Sequence, residues 1–142
     1  MLQTGLKEYR ARAEQKLQEL DLTEAENLHK SYFYRAVLIV IDATVAFAKR
    51  YANLAFKMAQ EETDEGRKAE LLEMSRVLNK VPYEPADTFY EAVLGFVLVH
   101  LCLQIESNGH SLSYGRMDQY LNPYYEKDLK EGRITEEAPA SF

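Results

Sequence analysis

The stretch QIESNGHSLSYGRMDQYLNPYY, residues 104–125, brings a carboxylate, amides, serine hydroxyls, an imidazole, a guanidinium and four tyrosines into a short span. It follows directly on AVLGFVLVHLCL, residues 92–103, one of the most apolar runs in the chain. Asn108 and Gly109 take the left-handed conformation readily, so this pair predicts the end of a helix and the release of a loop. His110 and Ser111 then stand on a loop at the tip of an apolar helix. An imidazole and a hydroxyl both donate and accept hydrogen bonds, so the pair suits a pocket wall. Arg116 and Asp118 are too close in sequence to face one another on a helix, and each is expected to anchor a different neighbour. Tyr120, Tyr124 and Tyr125 fit a half-buried polar surface, because a buried phenol wants a partner for its hydroxyl. The plainer alternative is a loop and two short helices held only by their own hydrogen bonds, and it stays open beside the pocket reading.

Other chemistries find less support. Glu26 and His29 have the spacing of one half of a di-iron carboxylate site, but no second Glu-x-x-His is present. Glu106 and His110 stand four apart with Gly109 between them, which breaks the helix that would align them. Cys102 lies two residues from His100, a spacing that points side chains apart on a helix, and its apolar surroundings predict an inert core thiol. His100 reads as a satisfied histidine rather than a base. The six glycines are scattered and form no phosphate-cradling loop. Asp42 interrupts an apolar run and calls for an arginine as its partner.

These residues need a scaffold, and 142 residues are one domain or a piece of one. A net charge of −6 argues against nucleic acid and against an anionic membrane as partners. A single cysteine excludes an internal disulfide and fits a reducing, cytoplasmic setting. The start of the chain reads as an amphipathic helix rather than a signal peptide. The apolar runs 36–48 and 92–103 fall short of the ~18 residues that span a bilayer, and they carry Asp42 and His100, so both are expected as buried helices.

Leu6, Tyr9, Ala13, Leu17 and Leu20 make one helical stripe over residues 4–20. Thr23 and Glu26 form a capping box that opens a second helix, which runs to about Glu62 and is nearly 60 Å long at ~1.5 Å per residue. Ala48, Ala52, Ala55 and Ala59 give it a small-residue face where another element can approach closely. A third helix follows over residues 69–80, and VPYEP at 81–85 interrupts. Thr88 and Glu91 cap a fourth helix from Phe89 to about Ser107. Short helices are expected at 117–121 and 123–130, with Gly132 as a stop. Thr135, Glu136 and Glu137 look like a new helix start, so the sequence reads as cut soon after it.

The motif ESNGHSLSYGRMDQYLNPYY resembles the glycyl radical enzymes, the pyruvate formate-lyase (formate acetyltransferase)-like family, and within it the branch of glycerol dehydratase and choline trimethylamine-lyase. TGLKEYRARAEQKL, KRYANLAFKMAQEE, RKAELLEMSRVLNKVP and PADTFYEAV carry the same resemblance in the same order, up to about Glu137. The resemblance implies that His110 and Ser111 contact substrate hydroxyls, and that Asn108, Arg116, Asp118 and Gln119 support the loop. Tyr114 departs from the family, where a proline or small residue is commoner. The family's radical glycine stands in an Arg-Val-x-Gly-Tyr type motif and its thiyl cysteine in a Gly-Cys-Val/Ile-Glu type motif, and neither occurs in these 142 residues. The implied cofactor, a glycyl radical installed by a radical S-adenosylmethionine activase, therefore belongs to the intact parent enzyme, with none held by this chain and no metal site.

The expected fold is all-α: an irregular bundle of about four to six helices with one long central helix, forming a single helical part, residues 1–142, of a ten-stranded α/β-barrel enzyme. The expected function is that of a fragment of a dehydratase-type lyase on a small hydroxylated substrate, silent on its own. The alternative is a helical interaction module that self-associates through the apolar helix 92–103, bounded by Ala92 and Leu103, and has no catalysis.

Overall fold

The computed structural model describes residues 1–135 of the chain. Among them are five helices and no strand: α1 (Gly5–Gln18), α2 (Ala25–Glu61), α3 (Glu65–Lys80), α4 (Phe89–Glu106) and α5 (Met117–Lys130). The all-α expectation, with one long central helix, is what the chain adopts. Of the helix start expected at Thr135, Glu136 and Glu137, Thr135 is described and stands in no helix, and Glu136 and Glu137 lie outside the described residues.

The alanine face of α2 explains the pairing of the two central helices. Ala48, Ala52, Ala55 and Ala59 are all buried, and small side chains let α3 lie close along α2. Leu71 and Leu78 fill the seam from α3, and Leu98 of α4 joins it at one end. Asp64 starts α3, its carboxylate accepting from Arg67 N at 2.7 Å. A second cluster, Val77, Val81, Ala86, Ala92 and Leu121, packs around the α3–α4 linker, whose Val81–Pro82 peptide is cis.

That linker also holds α1. The amides of Leu6 and Lys7, orphan donors of a first helical turn, donate to the Pro82 and Tyr83 carbonyls at 2.9 and 3.0 Å. The approach is so close that a Cβ on Gly5 would lie 2.1 Å from the Tyr83 carbonyl oxygen, and Gly5 has φ +69°. Asp42 finds the expected arginine: Arg10 Nε donates to it at 3.1 Å and joins α1 to α2.

Three expectations need correction. The Thr23–Glu26 capping box does not form. Asp21 is the nearer acceptor and takes both the Thr23 hydroxyl (2.7 Å) and the Thr23 amide (2.9 Å). Helix α2 then starts two residues later, at Ala25, and Glu26 pairs with Lys30. The two short C-terminal helices are one helix, α5, with Pro123 inside it. A mid-helix proline gives up one backbone bond, and the helix is held on either side of it by the burial of Leu121 and by the bonds of Asp128 to Phe89 N and Arg133. Finally, the apolar runs are buried on one face only. Ile41, Thr44 and Ala48 of α2 and Ala92, Gly95 and Leu98 of α4 are covered. Ile39 is 68% exposed, Val40 63%, and Val97, Leu101 and Leu103 are exposed too. With their neighbours in the helix, both runs reach the length and apolarity that would cross a membrane on those criteria alone, longer than the runs read from the sequence.

Candidate functional site

Helix α4 is fixed at its N-terminal end by side chains from three other segments. Thr88 caps it as expected, its hydroxyl accepting from Glu91 N at 3.2 Å. Glu91 does not complete a capping box with Thr88. Its carboxylate is buried and accepts instead from Asp87 N (2.8 Å), Lys80 Nζ (2.5 Å) and the Arg76 guanidinium (3.2 Å). Burial alone would push the Glu91 carboxyl up, but the Lys80 ammonium, the Asp87 amide and Arg76 outweigh it and hold the group below the usual range. Asp128 of α5, also buried, accepts from Phe89 N at 2.8 Å, in the first turn of α4, and pairs with Arg133. A carboxylate there meets the positive end of the helix dipole.

The other end of α4 releases the loop. Ser107 N and Gly109 N close the helix on the Leu103 and Gln104 carbonyls at 2.9 and 2.8 Å. Asn108 (φ 56°), Gly109 (74°), Ser111 (58°) and Gly115 (61°) are all left-handed. Left-handed backbone costs a residue with a Cβ about 1–2 kcal/mol, so Ser111 is held against its own preference. His110 and Ser111 are both exposed, and neither side chain has a hydrogen-bond partner among the described residues.

The loop is tied to the helices by Gln104, which the sequence reading did not select, and by Tyr120, which it read only as a phenol wanting a partner. Gln104 Nε2 donates to the Leu112 carbonyl at 3.0 Å and lies 2.8 Å from His100 Nε2. The Tyr120 hydroxyl donates to the Tyr114 carbonyl at 2.7 Å. The Tyr114 ring lies against His100, with centroids 4.2 Å apart, and against Phe96 at 5.1 Å. A glutamine one turn beyond a histidine was the sequence signal for the Gln104–His100 contact alone.

The other expected residues have plain positions. Asn108 supplies a left-handed backbone link at the helix end. Arg116 and Asp118, expected to hold separate neighbours, pair with each other through two bonds of 3.0 and 2.8 Å. They reach because Arg116 stands outside the helix, at its N-cap. Gln119 lines an open cleft of about 630 Å3 between the N-terminal segment and α5, and a second cleft of about 450 Å3 lies between α1, α2 and the α3–α4 linker. Neither cleft is lined by His110 or Ser111. Burial pushes the Cys102 thiol up, as expected of an inert cysteine. Glu26 and His29 are exposed, and no group of three metal-ligating side chains occurs among the described residues.

Residues 1–140 match the family described as pyruvate formate lyase-like. The chain is 42% identical over 130 residues to "Probable dehydratase YbiW" of Escherichia coli K12, covering 92% of this chain and 16% of that protein. It is 43% identical over 140 residues to the isethionate sulfite-lyase of Nitratidesulfovibrio vulgaris, covering 97% of this chain and 17% of the relative. A solved structure described by 1,2-propanediol dehydration in Roseburia inulinivorans superposes with a TM-score of 0.91 at 44% identity, over 96% of this chain and 17% of that one. The glycerol-bound B12-independent glycerol dehydratase of Clostridium butyricum superposes at 0.87 with 37% identity, over 94% of this chain and 17% of that one. The chain belongs to the pyruvate formate lyase-like family, on the dehydratase side of the glycyl radical enzymes, and spans about a sixth of the length of the relatives it matches.

Proposed function

We propose that the chain forms one wall of the substrate pocket in a dehydratase-type glycyl radical lyase, with His110 and Ser111 hydrogen-bonded to the hydroxyls of a small substrate. The carrying observation is the loop itself: a left-handed backbone at the tip of a fixed helix, presenting the adjacent imidazole and hydroxyl of His110 and Ser111 to solvent with no side-chain hydrogen-bond partner among the described residues. The names of the relatives support the substrate class, since 1,2-propanediol, glycerol and isethionate are all small and hydroxyl-bearing.

An imidazole and a hydroxyl side by side can bind one substrate oxygen from two directions, and so fix which carbon faces the reactive centre. A glycyl radical, when present in the intact enzyme, supplies hydrogen-atom abstraction through a cysteine. Neither the family's glycine motif nor its cysteine motif is in these residues, and half-buried Cys102 does not fit the part. This segment accordingly orients substrate and does not start the reaction. The loop faces solvent here, so the remaining pocket walls and cover for the exposed faces of α2 and α4 call for the rest of a larger chain, on which the activase would act.

The test is made in the intact enzyme that carries this segment. Ser111→Ala should raise KM for the hydroxylated substrate roughly tenfold, the worth of one hydrogen bond, while the glycyl radical signal stays at its normal amplitude. An unchanged KM would remove Ser111 from the pocket. The exposed α2 and α4 faces favour a second reading for the chain alone, self-association without catalysis. Light scattering of the 142-residue chain should then show oligomers, and a stable monomer that binds no apolar dye would contradict it.

A further inference from the structure

We infer that Gln104 and Tyr120 are positioning residues for the substrate hydroxyl, acting as a latch that sets the reach of His110 and Ser111. The inference rests on the pocket reading above and adds what holds that pocket in shape.

Besides the backbone bond of His110 N to the Ser107 carbonyl, the loop is fastened at three points. Gly109 N is bound to the Gln104 carbonyl, the Leu112 carbonyl to the Gln104 side chain, and the Tyr114 carbonyl to the Tyr120 hydroxyl. Between the first two fastenings stand His110 and Ser111 alone. One residue, Gln104, therefore grips the pair from both sides, by its backbone oxygen before them and its amide nitrogen after them.

The geometry fixes which way the amide faces. Gln104 lies against a carbonyl oxygen at 3.0 Å and an imidazole nitrogen at 2.8 Å. A carbonyl only accepts, so the side of the amide turned to Leu112 must be its NH2. Its second hydrogen then points to His100 Nε2, which must be an unprotonated acceptor, with the ring proton on Nδ1. The His100 ring meets Phe96 and Gln104 of its own helix and Tyr114 of the loop, none of them charged. The Tyr114 ring lies on that imidazole and near Phe96, and Phe96 also meets the ring of Tyr120 at 5.3 Å. Beyond its backbone bonds, the loop is thus held by two side-chain hydrogen bonds, from Gln104 and Tyr120, and by one small aromatic stack.

Ser111 at φ 58° explains why such fastening is needed. A serine does not stay left-handed unaided, and release of the Leu112 carbonyl lets it relax and swing both side chains away from their common target.

The experiment uses the intact enzyme that carries this segment, with its radical installed, assayed on 1,2-propanediol, glycerol and isethionate. Gln104→Leu keeps the size and loses both bonds. Gln104→Glu keeps the shape but turns an acceptor toward the Leu112 carbonyl. Tyr120→Phe keeps the ring and drops the Tyr114 bond. Both Gln104 variants should raise KM about tenfold, Tyr120→Phe threefold to fivefold, with radical content per protomer and melting temperature unchanged and kcat within twofold. A Gln104→Glu enzyme with normal KM would overturn the latch. So would a fall in melting temperature, radical content and kcat together at constant KM, which marks a merely structural side chain. Ser111→Ala run beside them separates the two levels: raised KM there with normal KM in Gln104→Leu and Gln104→Glu leaves the pocket and removes the latch, and normal KM throughout, or turnover of none of the three compounds, removes both.

Discussion

The two ends of α4 are built in opposite ways. At its N-terminus three side-chain oxygen groups, from Thr88, Glu91 and Asp128, serve backbone amides, and Glu91 adds Lys80 and Arg76. Two of the three groups, Glu91 and Asp128, are almost fully buried. At the C-terminus the backbone turns left-handed, the residues are exposed, and the His110 and Ser111 side chains have no hydrogen-bond partner among the described residues. The difference separates two duties. One end sets where the helix sits. On the pocket reading proposed above, the other uses that rigidity to present chemistry, as loops on fixed scaffolds do.

Breaking the buried end should give the largest effect. Glu91→Ala removes the shared acceptor of Lys80, Arg76 and Asp87 N. Loss of one partner from a buried pair costs about 3–5 kcal/mol, and the half-exposed Arg76 can turn to water, so we expect about 3 kcal/mol by urea unfolding of the chain. A loss below about 1 kcal/mol would show that the network is ornamental.

Acid should act on the same end. Glu91 in the folded chain lies below its usual value, so its contribution is present in full above about pH 4.3 and is lost as the pH falls through the lower folded value. Asp87, held low by Lys80, moves in the same direction. Glu91→Gln should flatten the acid limb of a stability–pH curve followed by circular dichroism. An acid limb of unchanged slope would place the sensitive carboxylates elsewhere.

Asp128→Ala comes next, with about 1–2 kcal/mol expected for the loss of a helix-capping carboxylate, measured in the same unfolding experiment. The loop end should respond least. Ser111→Gly relieves a left-handed serine and should stabilise by up to about 1 kcal/mol, read as a small rise in melting temperature. A loss of stability from this change would mean that the serine hydroxyl is structural.

Much of this arrangement was legible in the sequence, for local reasons. The alanine spacing on α2 announced a close neighbour, Thr88 announced a helix start, and Asn108-Gly109 announced its end. Misreadings came where a nearby competitor won. Asp21 captured Thr23, and Glu91 reached the amide of Asp87, one residue short of the expected box. Pro123 did not break α5, which is held on either side by the packing of Leu121 and by the bonds of Asp128 to Phe89 N and Arg133. Arg116 found Asp118 because it stands outside the helix that would have separated them. The Gln104–Leu112 and Tyr120–Tyr114 ties were not legible, since both end on backbone carbonyls that carry no residue identity. The exposed flanks of α2 and α4 were misjudged for a different reason. Composition reports that a helix wants cover, and says nothing of whether the cover comes from the same stretch of chain.

The most direct test of the division between the two ends is His110→Ala in the intact enzyme, with turnover, radical content and melting temperature measured on one preparation. The account predicts a fall in kcat/KM of at least tenfold with an unchanged glycyl radical signal and a melting temperature within about 1 °C, since an exposed, unpartnered side chain contributes little to stability. Full turnover of a hydroxylated substrate by that variant would contradict it.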